Sequence, residues 1–115
     1  MRKTFKYGDI FLVDFEPSVG HEFKKKRPAI IIQSNETIET TNLITVIALT
    51  SNTKGKQSDD ILVKKDSKNK LYLDSIVKVQ AIHAFDKSRF AKKIGIAGED
   101  TMGEISLYLR KHFGL

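Results

Sequence analysis

The sequence predicts a small, mainly β domain that ends in one α-helix. The chain has 115 residues, the usual size of one domain with its own hydrophobic core, so we expect a single domain over residues 1–115. Short apolar runs bounded by turn residues indicate strands through most of the chain. After Gly98 the apolar residues recur at helical spacing instead.

Six runs fit strands, and they are, in chain order, Ile10–Phe15, Arg27–Ser34, Leu43–Thr50, Asp60–Val63, Ser75–Ile82 and Ala91–Ile96. The first strand has one face with larger apolar side chains, formed by Phe11, Val13 and Phe15. The second contains successive isoleucines, which favour a half-buried strand, and Pro28 fits only near its start or at an edge because proline cannot donate a ladder hydrogen bond. The third is β-branched and apolar on both faces, which indicates a central strand. The fourth and sixth are short, and the fifth alternates between apolar and polar residues.

The connections are polar. We expect residues 1–7 to form a mobile arm, and Glu16–Gly20 to begin a long surface loop that continues into a run of lysines. Residues 35–42 connect the second and third strands. Residues 51–58 form a polar loop that carries two cations, and residues 64–70 form a solvated, charged turn.

The helix is predicted from the spacing of its apolar residues, which are Met102, Ile105, Tyr108, Leu109 and Phe113. Acidic residues stand at its start and basic residues at its end, which complements the helix dipole. Gly114 is a natural stop. The apolar stripe is best interpreted as a core or subunit-packing face.

Pairing of the second and third strands would make Arg27 and Thr50 neighbours. If they form an antiparallel hairpin with Ser34 opposite Leu43, each facing pair keeps the same index sum and Arg27 falls opposite Thr50. Facing residues in such a ladder share a face, with Cβ atoms roughly 4.5–5.5 Å apart. A guanidinium and a hydroxyl group would then lie side by side at the open end of the hairpin.

Composition narrows the function classes. The formal charge of +6 favours a phosphate-rich partner. The absence of cysteine excludes disulfides, thiolate zinc sites and cysteine nucleophiles, and it fits a reducing cytoplasmic location. The apolar runs are too short to span a bilayer, and no signal-peptide core precedes the first strand. Glycine-rich phosphate loops and a serine nucleophile elbow are missing, and the three histidines lack metal-ligand spacing, so we expect no cofactor and no metal.

The remaining chemistry suits phosphodiester transfer in RNA, because the ribose 2′-OH is itself the nucleophile. Arg27 could bind phosphate oxygens through two donors, and Thr50 and Ser51 could add hydrogen bonds. His21 and Glu22 are candidate proton carriers. Two plainer alternatives stay open from the residues alone: Arg27 could bind an acidic partner or form an ion pair, and Thr50 could simply end a strand.

An ordered set of short motifs resembles the MazF/PemK (Kid) toxins of type II toxin–antitoxin systems. The motifs are Gly8-Asp9-Ile10, Val13-Asp14-Phe15-Glu16-Pro17, Gly20-His21-Glu22, Lys26-Arg27-Pro28-Ala29 and Leu49-Thr50-Ser51. Each is weak alone, but their order and spacing are specific. The resemblance extends through residues 82–89 to the C-terminal helix.

The resemblance implies an SH3-like β-barrel with a C-terminal helix, and a cytoplasmic homodimer. It implies a metal-independent, sequence-specific endoribonuclease that cleaves single-stranded RNA to 2′,3′-cyclic phosphate and 5′-hydroxyl ends. The family's catalytic arginine, threonine and neighbouring glutamate fall on Arg27, Thr50 and Glu22. A cognate antitoxin with an acidic segment would cover the basic groove.

The remaining candidate RNA contacts are the cations and polar residues around that pair, namely Lys24, Lys25, Lys26, Ser51, Lys54, Lys56, Gln80 and His83. The chain departs from the family pattern where Gln80-Ala81 replaces an acidic residue followed by Gln, and where His83 replaces Arg or Lys. Two alternatives to the nuclease follow: a CcdB-like toxin that acts by binding, and an inactive RNA- or partner-binding barrel.

Overall fold

The computed structural model describes residues 3–15 and 26–115. Its regular elements are β1 (Asp9–Asp14), β2 (Lys26–Ile31), α1 (Asn35–Ile38), β3 (Leu43–Thr50), β4 (Ile61–Val63), β5 (Ser75–Asp86), β6 (Phe90–Ile96) and α2 (Glu99–Phe113), with short 3-10 turns at Thr53–Gly55 and Lys87–Arg89.

The strands form one sheet in the order β4-β5-β3-β2-β1-β6, and every neighbouring pair is antiparallel. The sheet curls into a half-barrel, and α2 follows it. The predicted fold class, a small barrel-type β domain with a C-terminal helix, is therefore confirmed.

The predicted hairpin register is confirmed. Ala29 pairs with Ala48, Ile30 with Ile47 and Ile31 with Val46, so each pair keeps the index sum that was predicted. The predicted strand was too long at its C-terminal end, however. Ser34 leaves the ladder and caps α1, where its hydroxyl accepts a hydrogen bond from the Thr37 N–H at 3.4 Å.

Both faces of the central strands are buried, each in its own cluster. The helix-side core contains Ile10, Ile30, Ile47, Leu49, Met102 and Ile105 among others. The aromatic-side core contains Phe11, Val13, Ala29, Ile31, Ile44, Val46 and Phe90. Since side chains alternate along a strand, this division assigns each strand residue to one of two faces. It also shows why β1 buries Ile10 as well as the face that the sequence singled out.

Two connections differ from the sequence prediction. The N-terminal segment is anchored from Phe5 onward: the Phe5 ring lies 5.1 Å from Phe11 and 5.2 Å from Phe90, and the Tyr7 N–H donates to Asn35 at 2.7 Å. The 64–70 turn is not simply solvated. Asn69 is buried within it and accepts from the Leu71 N–H at 3.0 Å.

Strand β5 is longer than predicted and bulged. It continues to Asp86 because its second half pairs with the start of β3. Ile47 pairs with Ile82, whereas Leu49 pairs with Val77, so β5 advances five positions where β3 advances two. The extra residues form a bulge that contains Gln80, and bulges of this kind commonly redirect side chains near functional sites.

Helix α2 matches its prediction closely. Glu99 and Asp100 lie in its first turn, and basic residues fill its last turn. Gly114 adopts a left-handed conformation with φ of 69°, and its N–H returns to the carbonyl of Lys111, so it ends the helix as expected. Within the described ranges, no helix is both long and apolar enough to cross a membrane.

Candidate active site

Arg27 is the second residue of β2 and is exposed. It lies opposite Val13 on β1, and Val13 is completely buried. The guanidinium group is therefore carried by a strand whose neighbours are fixed in the core. A charge on a rigid element of this kind is held in place better than one on a loop.

Thr50 is the last residue of β3 and is partly buried. It pairs with Ile76 of β5, which is fully buried. Its hydroxyl accepts a hydrogen bond from the Asn52 N–H at 3.2 Å, and Ser51 between them is exposed. The hydroxyl proton stays available for donation to another group.

The register brings Arg27 and Thr50 to the same end of the hairpin. The β2–β3 ladder runs as far as Ala29 and Ala48, and the next β2 residue is Pro28, which has no N–H to donate. Continued for two more residues, the same register sets Arg27 against Thr50. Alternation along both strands assigns the two residues to the face of the aromatic-side core.

Four predicted residues of the loop before β2 lie outside the described residues: His21, Glu22, Lys24 and Lys25. Lys26 is described, and it is an exposed residue at the start of β2. The cationic entrance to β2 is therefore represented by Lys26 and Arg27.

The loop after β3 carries the predicted cations Lys54 and Lys56, and both are exposed. This loop and the β5 bulge enclose a recess of about 350 Å³, which is lined by Gln57, Ser58, Asp59, Asp60, Lys78, Val79, Gln80 and Ala81. The exposed Gln80 thus lies beside the loop that holds the cations, although the two segments are far apart in sequence.

A partly buried ion pair joins that loop to the bulge. Asp60 is 6% exposed, and its carboxylate lies 2.9 Å from the Lys78 ammonium group. The same carboxylate accepts from the N–H groups of Gln57 at 2.9 Å and Val79 at 3.2 Å. Burial alone would raise the pKa of Asp60, but these two hydrogen bonds and Lys78 lower it below its ordinary value of 3.8.

His83 lies farther along β5 and is exposed. It faces Val46, which also faces Ile31, so His83 belongs to the same sheet face as Arg27. Its ring stacks on Phe85 with 5.5 Å between centroids and meets the edge of Phe15 at 5.3 Å.

Arg89 completes this aromatic group. Its guanidinium carbon lies 5.2 Å from the Phe85 ring centroid, and its Nε donates to the carbonyl of Asp14 at 2.8 Å. The aromatic group and the Asp60–Lys78 pair were both missed from the sequence. Their members come from separate segments of the chain: Phe15 follows β1 and packs on β5, and Asp60 precedes β4 and pairs with Lys78 of β5.

Among the described residues, no group of three or more His, Cys, Asp or Glu side chains could hold a metal ion. A second recess, of about 600 Å³, lies between β4 and α2 and includes Lys56 from the predicted site residues. Neither Arg27 nor Thr50 lines this recess.

Comparison with known proteins gives consistent matches over nearly the full length. The family described as "PemK-like, MazF-like toxin of type II toxin-antitoxin system" matches residues 6–113. The chain is 30% identical over 109 residues to an endoribonuclease MazF of Staphylococcus saprophyticus, covering 94% of this chain and 90% of that protein.

Solved structures share the fold. A MazF from Deinococcus radiodurans superposes with a TM-score of 0.80 at 23% identity, covering 99% of this chain and all of that one. A mycobacterial endoribonuclease in complex with its cognate antitoxin gives a TM-score of 0.77 at 20% identity, covering 97% of each chain. At these identities the likeness establishes the architecture, and function must be argued from the site.

Proposed function

Because the chain belongs to the PemK-like, MazF-like toxins of type II toxin–antitoxin systems, we propose that it is an endoribonuclease that cleaves single-stranded RNA, mRNA included, at specific sequences. The observation that carries the proposal is the β2–β3 register, which directs Arg27 and Thr50 to one face at one end of the hairpin. A toxin of this activity works in the cytoplasm, where its RNA substrates are.

The reaction needs no nucleophile from the protein. The 2′-oxygen of the ribose attacks the adjacent phosphorus, the bond from phosphorus to the 5′-oxygen breaks, and the products are a 2′,3′-cyclic phosphate and a 5′-hydroxyl. Negative charge builds on the non-bridging oxygens as the phosphorus becomes five-coordinate. Arg27 donates two hydrogen bonds to those oxygens, and the Thr50 hydroxyl donates a third.

Two protons must also move. The 2′-hydroxyl loses one, and the departing 5′-oxygen gains one. Arginine is a poor proton carrier because its pKa lies far above neutrality. His21 and Glu22 are the proposed carriers, since both are near Arg27 in sequence and imidazole and carboxylate groups serve as general acids and bases.

The surrounding residues bind RNA without reacting. Lys24, Lys25, Lys26, Lys54 and Lys56 attract and align the phosphate backbone, which carries no base information. Ser51, Gln80 and His83 are the proposed polar contacts, and they add hydrogen bonds around the cleaved phosphate and its flanking bases. The lysines would therefore set the affinity for RNA, and the polar contacts would set the preference for particular sequences.

We propose that the active species is a homodimer and that a cognate antitoxin inhibits it. A mycobacterial endoribonuclease of the same fold has been solved with its antitoxin. An acidic antitoxin segment that folds over Lys26 and Arg27 would compete with RNA for the same cations. Inhibition then requires no conformational change in the toxin.

The test is cleavage of several long single-stranded RNAs by the purified protein in the presence of EDTA. Arg27→Ala and Thr50→Val should each lower the cleavage rate by at least about 100-fold. Thr45→Val is the matched control for Thr50→Val, because Thr45 is also partly buried and lies on the opposite face of the same strand. Arg110→Ala on the exposed last turn of α2 is the control for Arg27→Ala. Failure of the parent protein to cut any RNA would favour a toxin that acts by binding alone.

A further inference from the structure

The Asp60–Lys78 ion pair lies where the loop after β3 meets the β5 bulge. Asp60 lies at the end of the loop that begins after Thr50, and Lys78 lies in the β5 bulge beside Gln80. The loop and the bulge contact each other around this pair, and the recess of about 350 Å³ lies between them.

The pair contacts the loop at several points. The Asp60 carboxylate receives the Gln57 N–H at 2.9 Å, and the Lys78 ammonium donates to the Gly55 carbonyl at 3.3 Å. Both partners thus bind backbone groups on either side of Lys56. The carboxylate also receives the Val79 N–H at 3.2 Å, a group left in the bulge where the β3–β5 ladder is interrupted.

We infer that the Asp60–Lys78 pair positions the RNA-binding groove: it holds the loop that carries Lys54 and Lys56 against the bulge that carries Gln80. Neither partner is a catalytic residue in this account. The inference rests on the proposed function, and it assigns to this pair the alignment of two substrate-binding segments.

This positioning role is inferred because the loop has few buried contacts of its own. Residues 51–59 are all exposed, and their regular structure is one 3-10 turn at Thr53–Gly55. A segment with so few buried contacts has little intrinsic stability against local opening. The buried end of the loop at Asp60 therefore decides where Lys54 and Lys56 lie. Thr50 depends on it less, since it is paired to Ile76 within the sheet.

Asp60→Asn distinguishes positioning from simple electrostatics. The substitution removes a negative charge from the edge of a cationic groove, and through-space electrostatics alone predicts tighter RNA binding. If the Asp60–Lys78 pair acts as a clamp that fixes the loop against the bulge, loss of this clamp predicts weaker RNA binding. Asp59→Asn is a matched control, because it makes the same charge change at the preceding residue. Asp59 forms an exposed ion pair with Lys111 on α2 at 3.3 Å.

The experiment measures KM and kcat for an RNA oligonucleotide and, separately, the rate of tryptic cleavage after Lys54 and Lys56. Asp60→Asn should raise KM by about fivefold or more while kcat stays within about twofold. It should also speed tryptic cleavage by about fivefold or more, because the loop opens more often. Asp59→Asn should change neither quantity in that direction.

Substitutions at Lys78 keep the inference testable if Asp60→Asn does not fold. Lys78→Gln should open the loop to trypsin, and Lys78→Arg, which keeps the cation, should restore protection. An Asp60→Asn or Lys78→Gln variant whose loop is as protected as in the parent overturns the inference, as does undiminished RNA affinity in Asp60→Asn.

The two proposals fail separately. If the parent protein cleaves no RNA, the proposed function fails, and the tryptic rates still judge the clamp. If the parent cleaves RNA and Asp60→Asn binds it at least as tightly as Asp59→Asn does, the clamp alone is wrong.

Discussion

Ala29 lies opposite Ala48 across β2 and β3, two residues from Arg27 on one strand and two from Thr50 on the other. Both alanines are buried, so the last pair of the ladder before the exposed end of the hairpin is fixed in the core. The register that they share cannot slip by one residue without moving buried isoleucines to the wrong face. The relation between Arg27 and Thr50 is therefore specified by the core beneath them.

Arg27 and Thr50 should act as one unit. We expect Arg27→Ala and Thr50→Ala each to lower kcat by about 100- to 1,000-fold, because each removes a donor to the transition state. The double variant should lose much less than the product of the single losses. Arg27→Lys should restore little, since lysine lacks the planar fork.

Single-turnover cleavage assays measure these losses, and urea unfolding provides the control. Arg27 is exposed and Thr50 ends its strand, so the stabilities should stay within about 0.5 kcal/mol of the parent. Full multiplication of the two effects would contradict a joint action on one phosphate.

Lys54 and Lys56 should contribute affinity without sequence preference. Replacing either with alanine should weaken binding to unrelated single-stranded RNAs by similar factors. The slope of log affinity against log salt concentration should fall by about 0.7 for each lysine that contacts phosphate. Fluorescence anisotropy with a catalytically inactive protein measures this slope. An effect confined to one RNA sequence would instead assign the lysine to base recognition.

Asp60 should make the fold sensitive to acid. Its pKa is lowered in the folded state, so the unfolded chain binds more protons between the folded pKa and the ordinary value of 3.8. The stabilisation is complete above the unfolded pKa and is lost as the pH falls through the folded one. Urea unfolding from pH 7 to pH 2.5 should show a steeper acid loss for the parent than for Asp60→Asn. Parallel pH curves for the two proteins would contradict the prediction.

Gly95 and Gly103 should respond in opposite directions to alanine. A Cβ at Gly95 would lie 2.6 Å from the carbonyl carbon of Asn69 and 2.8 Å from the Lys68 carbonyl oxygen, both rigid backbone atoms. We expect Gly95→Ala to destabilise the fold by about 1–3 kcal/mol.

A Cβ at Gly103 meets nothing within 4 Å on the surface of α2. Gly103→Ala should therefore stabilise the protein by up to about 1 kcal/mol through helix propensity. Chemical unfolding of both variants tests the pair, and a stabilising alanine at residue 95 would mean that the 64–70 turn is not fixed against β6.

Structural elements were predicted correctly from the sequence where the local residue pattern and burial in the core agree. Strand β3 and the ending of α2 at Gly114 follow directly from β-branched content and capping chemistry. The hairpin register was predicted by assuming that the two strands close symmetrically with Ser34 opposite Leu43, and the observed pairs keep that index sum.

The second half of β5 could not be predicted, because His83, Ala84 and Asp86 are exposed and give no apolar alternation. That segment is a strand because the start of β3 pairs with it. Asp60 was assigned to a strand and not to a clamp for a similar reason. Its partner Lys78 lies eighteen positions away, and only the folded bulge brings the two together.

The most direct test of the central claim uses an RNA with one modified ribose. Once the cleavage site is mapped, the nucleotide on its 5′ side is replaced by its 2′-deoxy form, which removes the nucleophile and leaves every phosphate intact. If Arg27 and Thr50 promote attack by the 2′-oxygen, this RNA should bind normally and stay uncut. Its unmodified counterpart should end in a 2′,3′-cyclic phosphate. Cleavage of the deoxy RNA at the same bond and rate would contradict the account.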